Sequence, residues 1–512
     1  MLLLSRITGF RSPKFSPSTQ RLFAVGAKAA VASVEAEIAS ASIFDQMATV
    51  VLEKGKAKLF QDGNPIIYGG AVREVKGDTK AGSEVLVTDH MGNLLGRGLF
   101  NPHSTYRVRM LSRGYEEVHS LPLVELLKAR IAQAIVLRQS IGLPNSKTNT
   151  AYRLINGEGD RLGGLIVDVF DGVIVAQSSA YWVEEHKQTI EVALLEAIVE
   201  GKKSTKKASK TSVVWRRAES RLKQDGWIGS VNDDPLPAAL TGVSAGGNLL
   251  VKENGLQFSV SLSEGQKTGF YCDQRDNRLS LRAMAQGKDV LDAYCYTGGF
   301  AINAAIGGAS RVVAVDSSQP ALDAAAENAR LNGLVVAGDE EGRESKHAVL
   351  ELVKGDCVEV MKRLAEKGEK FDVVICDPPK LAPSRRDLAK ARPKYLKINS
   401  LAMSLVRPGG LLLTCTCSAA MTQAGKDTDN GTKEGGGRES GRSGDGGREG
   451  WRKSGGNGGG GGGGFLGMLS EAAKLARREV TLLSSSGAAA DHPVSLSYQE
   501  GAYLTAALLH VH

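Results

Sequence analysis

Apolar and polar positions alternate through residues 48–112, in ATVVLEKGKAK, EVLVTDHMGNLLGRGLF and YRVRMLS, with breaks at DGNP, KGD and MGN. A period of two marks strands with one buried face, and the breaks are turn chemistry. The pattern predicts a small β-barrel. Over 121–141, LPLVELLKARIAQAIVLRQSI, the spacing becomes helical. YRLINGEGDRLGGLIVDVFDGVIVAQ reads as a hairpin-bearing unit with glycine turns, followed by a helix from about 182 to 200. FSVSLS at 258–263 restarts strand structure. From about 279, helices and strands alternate to the end, the rhythm of an α/β fold. Within that part FLGMLSEAAKLARREVTLL reads as a helix then a strand, and ADHPVSLSYQEGAYLTAALLHVH as two closing strands.

Four short runs in this α/β part lead into acidic residues: DVLD to Asp292, RVVAVD to Asp316, LVKGD to Asp356 and FDVVICD to Asp377. Such runs suit strands buried on both faces of a parallel sheet. Ligands bind at the carboxyl ends of those strands. Pro378 and Pro379 after Asp377 lack an N–H, so the ladder ends there. Gly298 and Gly299, after Asp292, allow close backbone approach to a ligand. The loop does not supply the GxGxxG of a dinucleotide site, which disfavours a dehydrogenase. Asp316 can accept from ribose hydroxyls, and Asp356 sits where an adenine amino group could be met. For Asp377, a strand-ending Asp that caps a turn is the structural alternative.

Composition refines this picture in three places. The first 44 residues are rich in Ser and Ala, carry Arg6, Arg11, Lys14, Arg21 and Lys28, and reach no acid before Glu35. That is transit-peptide composition, which predicts an organelle, chloroplast or mitochondrion. KKSTKKASK at 202–210 reads as a solvated basic loop. Residues 422–464 are dominated by Gly and charged or small polar residues, and are expected to be a disordered insertion within the last domain. The whole chain, 512 residues with net charge +8, is long enough for several domains and mildly basic, compatible with an RNA-facing surface. No apolar run approaches the roughly 18 residues of a membrane span. Six cysteines make no disulfide framework, and Cys415 and Cys417 in CxC lack the partners of a zinc site.

Together these strand ends resemble the S-adenosylmethionine-dependent methyltransferases of the Rossmann-like class. DPPK resembles that class's catalytic fourth motif. LLLTCTCS at 411–418 is a further strand, ending in the TCS that carries the nucleophile of RNA cytosine-5 methyltransferases. A buried structural thiol is the alternative for either cysteine, and the TCS match favours Cys417. GQKTGFYCDQRDNRLSLR at 265–282 closely resembles the signature of bacterial large-subunit rRNA cytosine-5 methyltransferases that carry an N-terminal PUA domain. The resemblance extends to 48–112, to the central hairpin unit and to ADHPV with Tyr503.

The resemblance implies an α/β fold: a Rossmann-like methyltransferase domain at 264–512, a central α+β domain at 119–263 and a PUA-like RNA-binding barrel at 46–118. It implies Cys417 and Asp377 as catalytic residues. Thr268, Gly269, Gln274, Arg275, Asp292, Gly298, Asp316, Asp356 and Asp377 would bind S-adenosylmethionine. Lys54, Lys56, Arg73, Arg97 and Arg107 would meet RNA, and no metal is expected. Large-subunit rRNA is the implied partner, no membrane is expected, and a homodimer is an open assembly state. The chain departs from the pattern at Pro379-Lys380, where many RNA cytosine-5 enzymes have a product-releasing cysteine, and at Ala419, Ala420 and Met421, where relatives often have histidines. The other readings are a guanine-N7 rRNA methyltransferase, which needs no cysteine, and a non-catalytic RNA-binding assembly factor.

Overall fold

A computed structural model describes residues 44, 47–201, 212–237, 240, 248–262, 269–339, 350–424 and 464–512. The leader, the basic loop, Thr268 and residues 425–463 of the Gly-rich stretch lie outside the described residues.

The alternating segment forms one six-stranded sheet: β1 (Ala48–Leu52), β2 (Ile66–Tyr68), β3 (Val72–Lys76), β4 (Glu84–Thr88), β5 (Leu94–Phe100) and β6 (Tyr106–Arg113). Their order is β2-β6-β5-β4-β1-β3, with β1 and β4 parallel and the other pairs antiparallel. Val50, Leu52, Val85, Val87 and Val108 fill its core. Arg97, expected to face RNA, is instead fully buried. It sits on the interior strand β5, and the chain after β6 folds over it. Its guanidinium pairs with Glu84 and donates to the carbonyls of His119 and Leu121.

Helix α1 (Leu123–Ser140) leads to a second sheet of β7 (Ala151–Asn156), β8 (Leu165–Phe170), β9 (Val173–Ser178) and β10 (Val213–Arg217), in the order β10-β9-β8-β7. Helix α2 (Lys187–Gly201) packs beside α1. β11 (Asn248–Glu253) and β12 (Leu256–Ser261) make a hairpin that restarts strand structure ten residues ahead of FSVSLS.

The third sheet has seven strands: β13 (Asp289–Ala293), β14 (Arg311–Asp316), β15 (Leu350–Lys354), β16 (Phe371–Cys376), β17 (Val406–Thr416), β18 (Val480–Ser486) and β19 (Thr505–Val511). Their order is β15-β14-β13-β16-β17-β19-β18. The first five are parallel, and β19 is antiparallel to both its neighbours. Helices α3 (Arg275–Met284), α4 (Gly299–Ile306) and α5 (Gln319–Leu331) cover one face. Helices α6 (Cys357–Glu366), α7 (Leu388–Leu405) and α9 (Phe465–Ala476) cover the other, and a short helix α8 (Ala419–Gln423) follows β17. From β13 the chain moves outward through β14 and β15, then returns to β16 on the opposite side. That reversal opens a crevice over the carboxyl ends of β13 and β16.

Two expectations shift here. The Gly-rich stretch does not begin at 422, because Thr422 and Gln423 belong to α8. The described chain leaves at Ala424 and resumes at Gly464, and these ends adjoin: a Cβ on Gly464 would lie 2.0 Å from the Ala424 carbonyl oxygen. ADHPVSLSYQE forms no strand; the two closing strands are β18, ahead of it, and β19. Its polar groups are used otherwise. The buried Asp491 carboxylate takes two bonds from Arg275, at 3.0 and 2.9 Å, and one from the Arg153 N–H at 2.8 Å. Its carbonyl accepts from Arg138 at 2.8 Å. This segment therefore ties the second sheet to the third. Among the described residues no helix is long and apolar enough to cross a membrane, and no group of His, Cys, Asp or Glu could hold a metal ion.

Candidate active site

β16 and β17 run side by side and deliver Asp377 and Cys417 to one edge. Pro378 and Pro379 stop the ladder after Asp377. The Asp377 Oδ2 accepts from Gln274 Nε2 at 3.0 Å, and Gln274 Oε1 accepts from Asn277 Nδ2 at 2.6 Å. The Gln274 amide is thus held at both ends.

Cys417 stands between two anchored neighbours. The Thr416 hydroxyl lies 3.0 Å from the Tyr395 hydroxyl, and Ser418 Oγ donates to the Ala382 carbonyl at 2.6 Å. Both neighbours are fully buried, while Cys417 is partly exposed and lines the cleft. All six cysteines fall among the described residues, and the other five are buried. Desolvation pushes the Cys415 thiol well above its ordinary range, and the charge of Asp377 adds to this. A thiol held neutral is a poor nucleophile.

The loop after β13 bends back over the strand end. Tyr294, Tyr296 and Gly298 have φ of 66°, 49° and 81°, in the left-handed region that non-glycine residues seldom occupy. Asp316 fixes this loop by accepting from the Tyr296 N–H at 3.0 Å, and it also accepts from the Ser318 N–H at 2.8 Å just beyond its own strand. A Cβ on Gly299 would come within 2.9 Å of Arg278, so the loop lies close against α3.

The cleft over these strand ends has a volume of about 1290 Å³. Gln274, Gly299, Asp316, Asp377, Pro378 and Cys417 line it. Other expected cofactor residues do not reach it. Asp292 is fully buried beneath the loop, its Oδ2 accepting from the Ala301 N–H at 2.9 Å and its Oδ1 without a partner. Burial pushes its pKa up to about 8, and the charges of Asp377 and Asp316 add to this. Asp356 is exposed at the start of α6, where its Oδ1 accepts from Val358 and Glu359 at 2.9 and 3.1 Å. Arg275 is committed to Asp491. Gly298 supplies the turn but packs toward Ala325 and Ile302. Gly269 has a φ of 123° and backs onto Ser261, while the following Phe270 and Tyr271 line the cleft.

The residues that do reach the cleft fit S-adenosylmethionine. Asp316, a strand-end carboxylate that could accept from a ribose, stands beside a loop closely packed over a helix start, and Tyr271 adds an aromatic wall. On the first sheet Lys54, Lys56 and Arg73 are exposed, whereas Arg107 is half-buried and donates to the Pro102 carbonyl. Asn277 and Asp491 were not read from the sequence as site-supporting residues. The DQRDNR run offered a signal for Asn277, but nothing local could pair Asp491 with Arg153, 338 positions earlier.

Residues 240–429 match the model of S-adenosylmethionine-dependent methyltransferases, and residues 50–113 that of PUA-like domains. The chain is similar to ribosomal RNA large subunit methyltransferase I of Photobacterium profundum, 34% identical over 458 residues, covering 89% of this chain and 97% of that one. The Salmonella newport protein of the same name is 31% identical over 463 residues, 90% and 97% of the two chains. The chain belongs to this ribosomal RNA large subunit methyltransferase I family. It is an S-adenosylmethionine-dependent methyltransferase with a PUA-like domain on its N-terminal side. Two solved structures share the fold: a methyltransferase from Streptococcus mutans (TM-score 0.65, 17% identity, covering 91% of this chain and all of that one), and a structure titled SMU.776 in complex with SAH (TM-score 0.65, 18% identity, same coverage). Like its family, the chain combines a PUA-like sheet and the methyltransferase sheet; here both contribute residues to the cleft.

Proposed function

We propose that this chain methylates carbon 5 of a cytosine in large-subunit rRNA, with Cys417 as the nucleophile. The observation that carries the reading is the division between the two CxC thiols: Cys417 opens onto the cleft shared with Asp377, and Cys415 is sealed beneath it. Family membership supports the rRNA substrate.

Carbon 5 of cytosine is not nucleophilic unaided. The Cys417 thiolate adds to carbon 6, and the ring becomes an enamine whose carbon 5 can accept a methyl group. Asp316 and the 294–299 loop would hold S-adenosylmethionine, which when bound would supply that methyl from its sulfonium. Asp377, oriented by Gln274, holds the polar edge of the flipped base, while the Pro378–Pro379 backbone bounds the cleft beside it. Water then takes the carbon 5 proton, the carbon 5–carbon 6 double bond re-forms as the sulfur–carbon 6 bond breaks, and the thiolate is restored. Pro379-Lys380 stands where other RNA cytosine-5 enzymes have a releasing cysteine, so elimination proceeds without a second thiol at that position.

Methyl transfer from labelled S-adenosylmethionine to unmodified large-subunit rRNA, followed by nucleoside analysis, tests this. Wild type gives 5-methylcytosine and Cys417→Ala gives none. A product of 7-methylguanine replaces this reading with the guanine-N7 one, and 5-methylcytosine that survives in Cys417→Ala removes Cys417 as the nucleophile. The leader, basic and without an acid before Glu35, supports action in an organelle. A fluorescent fusion of residues 1–44 that stays outside both chloroplasts and mitochondria would contradict that part.

A further inference from the structure

The cleft extends beyond the strand ends that carry its chemistry. At about 1290 Å³ it exceeds the roughly 300–1,000 Å³ of a single small-molecule site. The additional wall comes from other parts of the chain. Tyr68, Tyr106 and Arg109 belong to the first sheet, Glu158 follows β7, and Tyr498 and Glu500 belong to the segment between β18 and β19. None of these six takes part in the mechanism above.

Their chemistry is aromatic and acidic. The Tyr68 and Tyr106 rings meet edge to face at 5.7 Å. The Arg109 guanidinium stacks 5.0 Å from the Tyr106 ring centre. That cation is already neutralised, by Asp225 at 3.1 Å and by Glu158 at 4.0 Å. The Tyr68 hydroxyl donates to Glu500 at 2.9 Å. Burial, and then the Glu500 carboxylate, hold the Tyr68 hydroxyl well above the ordinary phenol range; burial and Glu158 do the same for Tyr498.

A phosphate would meet carboxylates here with no uncommitted cation among the six. A nucleobase suits the wall better. Unstacked bases in single-stranded RNA lie on aromatic faces. Carboxylates accept from exocyclic amino groups, as Glu and Asp do from cytosine N4. We propose that these six residues form a second nucleobase subsite, which takes a neighbour of the target cytosine and favours a base with an exocyclic amino group over uracil. The proposal rests on the rRNA cytosine reading above and adds a sequence preference to it.

The test uses the full chain and an rRNA fragment that contains the mapped target cytosine. Each nucleotide within two positions of the target is replaced in turn by uridine. At one position wild type should show a KM for RNA raised by about 5- to 150-fold, with kcat unchanged. Glu158→Gln and Glu500→Gln keep shape and kcat, and should pull that uridine penalty toward one. Tyr106→Ala should raise KM across the whole set. The subsite is refuted if no position carries a uridine penalty, or if both glutamine variants retain it in full. Failure of the two readings is distinguishable: 5-methylcytosine formed at equal KM across the set sinks the subsite alone, whereas no 5-methylcytosine on any fragment sinks both.

Discussion

Four carboxylates end neighbouring strands of one sheet, and they divide into two pairs. Asp316 and Asp377 line the cleft, while Asp292 and Asp356 serve the starts of α4 and α6. The segment immediately after each strand decides the outcome. A helix start has backbone N–H groups without partners, and a nearby carboxylate is their natural acceptor. Asp292 and Asp356 are captured in this way. Ser318 takes over that work at α5, accepting from the Ala321 N–H at 3.3 Å, so Asp316 accepts from Tyr296 in the loop and from the Ser318 N–H rather than from the first turn of α5. After Asp377 come two prolines with no N–H to offer. The prolines that end the strand thus also spare its carboxylate from capping. On the next strand Cys417 lines the cleft while Cys415 is buried.

The division can be broken from either side. Asp377→Asn should act most strongly, lowering kcat by about 10²–10⁴-fold, with thermal melting unchanged. Near-normal turnover in that variant would remove Asp377 from the chemistry. Asp316→Ala loses charge-assisted hydrogen bonds worth about 1.5–3 kcal/mol, so KM for S-adenosylmethionine should rise roughly 10- to 150-fold while kcat changes little. Calorimetric titration of the cofactor gives the same contrast directly, and undiminished affinity would place the ribose elsewhere.

Asp292 belongs to the other pair and should report on stability. Its folded pKa of about 8 lies above its ordinary 3.8, so the folded chain binds this proton more tightly than the unfolded one. The stability this contributes is full below about pH 4 and is lost as pH rises through about 8. Melting temperature should therefore fall with rising pH more steeply in wild type than in Asp292→Asn. Parallel curves would mean that Asp292 is charged throughout. Asp356→Ala should do least: removal of a helix cap costs about 1 kcal/mol, visible in denaturant melts, with both KM values preserved. A raised cofactor KM there would return Asp356 to the binding site.

Much of this arrangement was legible in the sequence because it is periodic and local. Strand runs ending in acids, two prolines, a glycine loop and TCS each lie within a few residues of their consequence. The features that escaped depend on register or on distant partners. Arg97 reads as one more basic residue on a barrel until β5 is known to be interior and the 119–121 turn to lie over it. Asp491 looks like part of a strand until Arg138, Arg153 and Arg275 converge on it. The capture of Asp292 and Asp356 by helix starts obeys a known rule, but the sequence alone does not say which strand-end acids a cap will claim.

The central claim is that the chain attacks its base through Cys417. An rRNA fragment carrying 5-fluorocytidine at the target puts this to the most direct test, because fluorine cannot leave as a proton does and the thiolate adduct should persist. Denaturing electrophoresis with S-adenosylmethionine present should show a protein–RNA band for wild type and Cys415→Ala, and none for Cys417→Ala. A band that survives in Cys417→Ala, or its absence from wild type that methylates the unfluorinated fragment, would contradict the account.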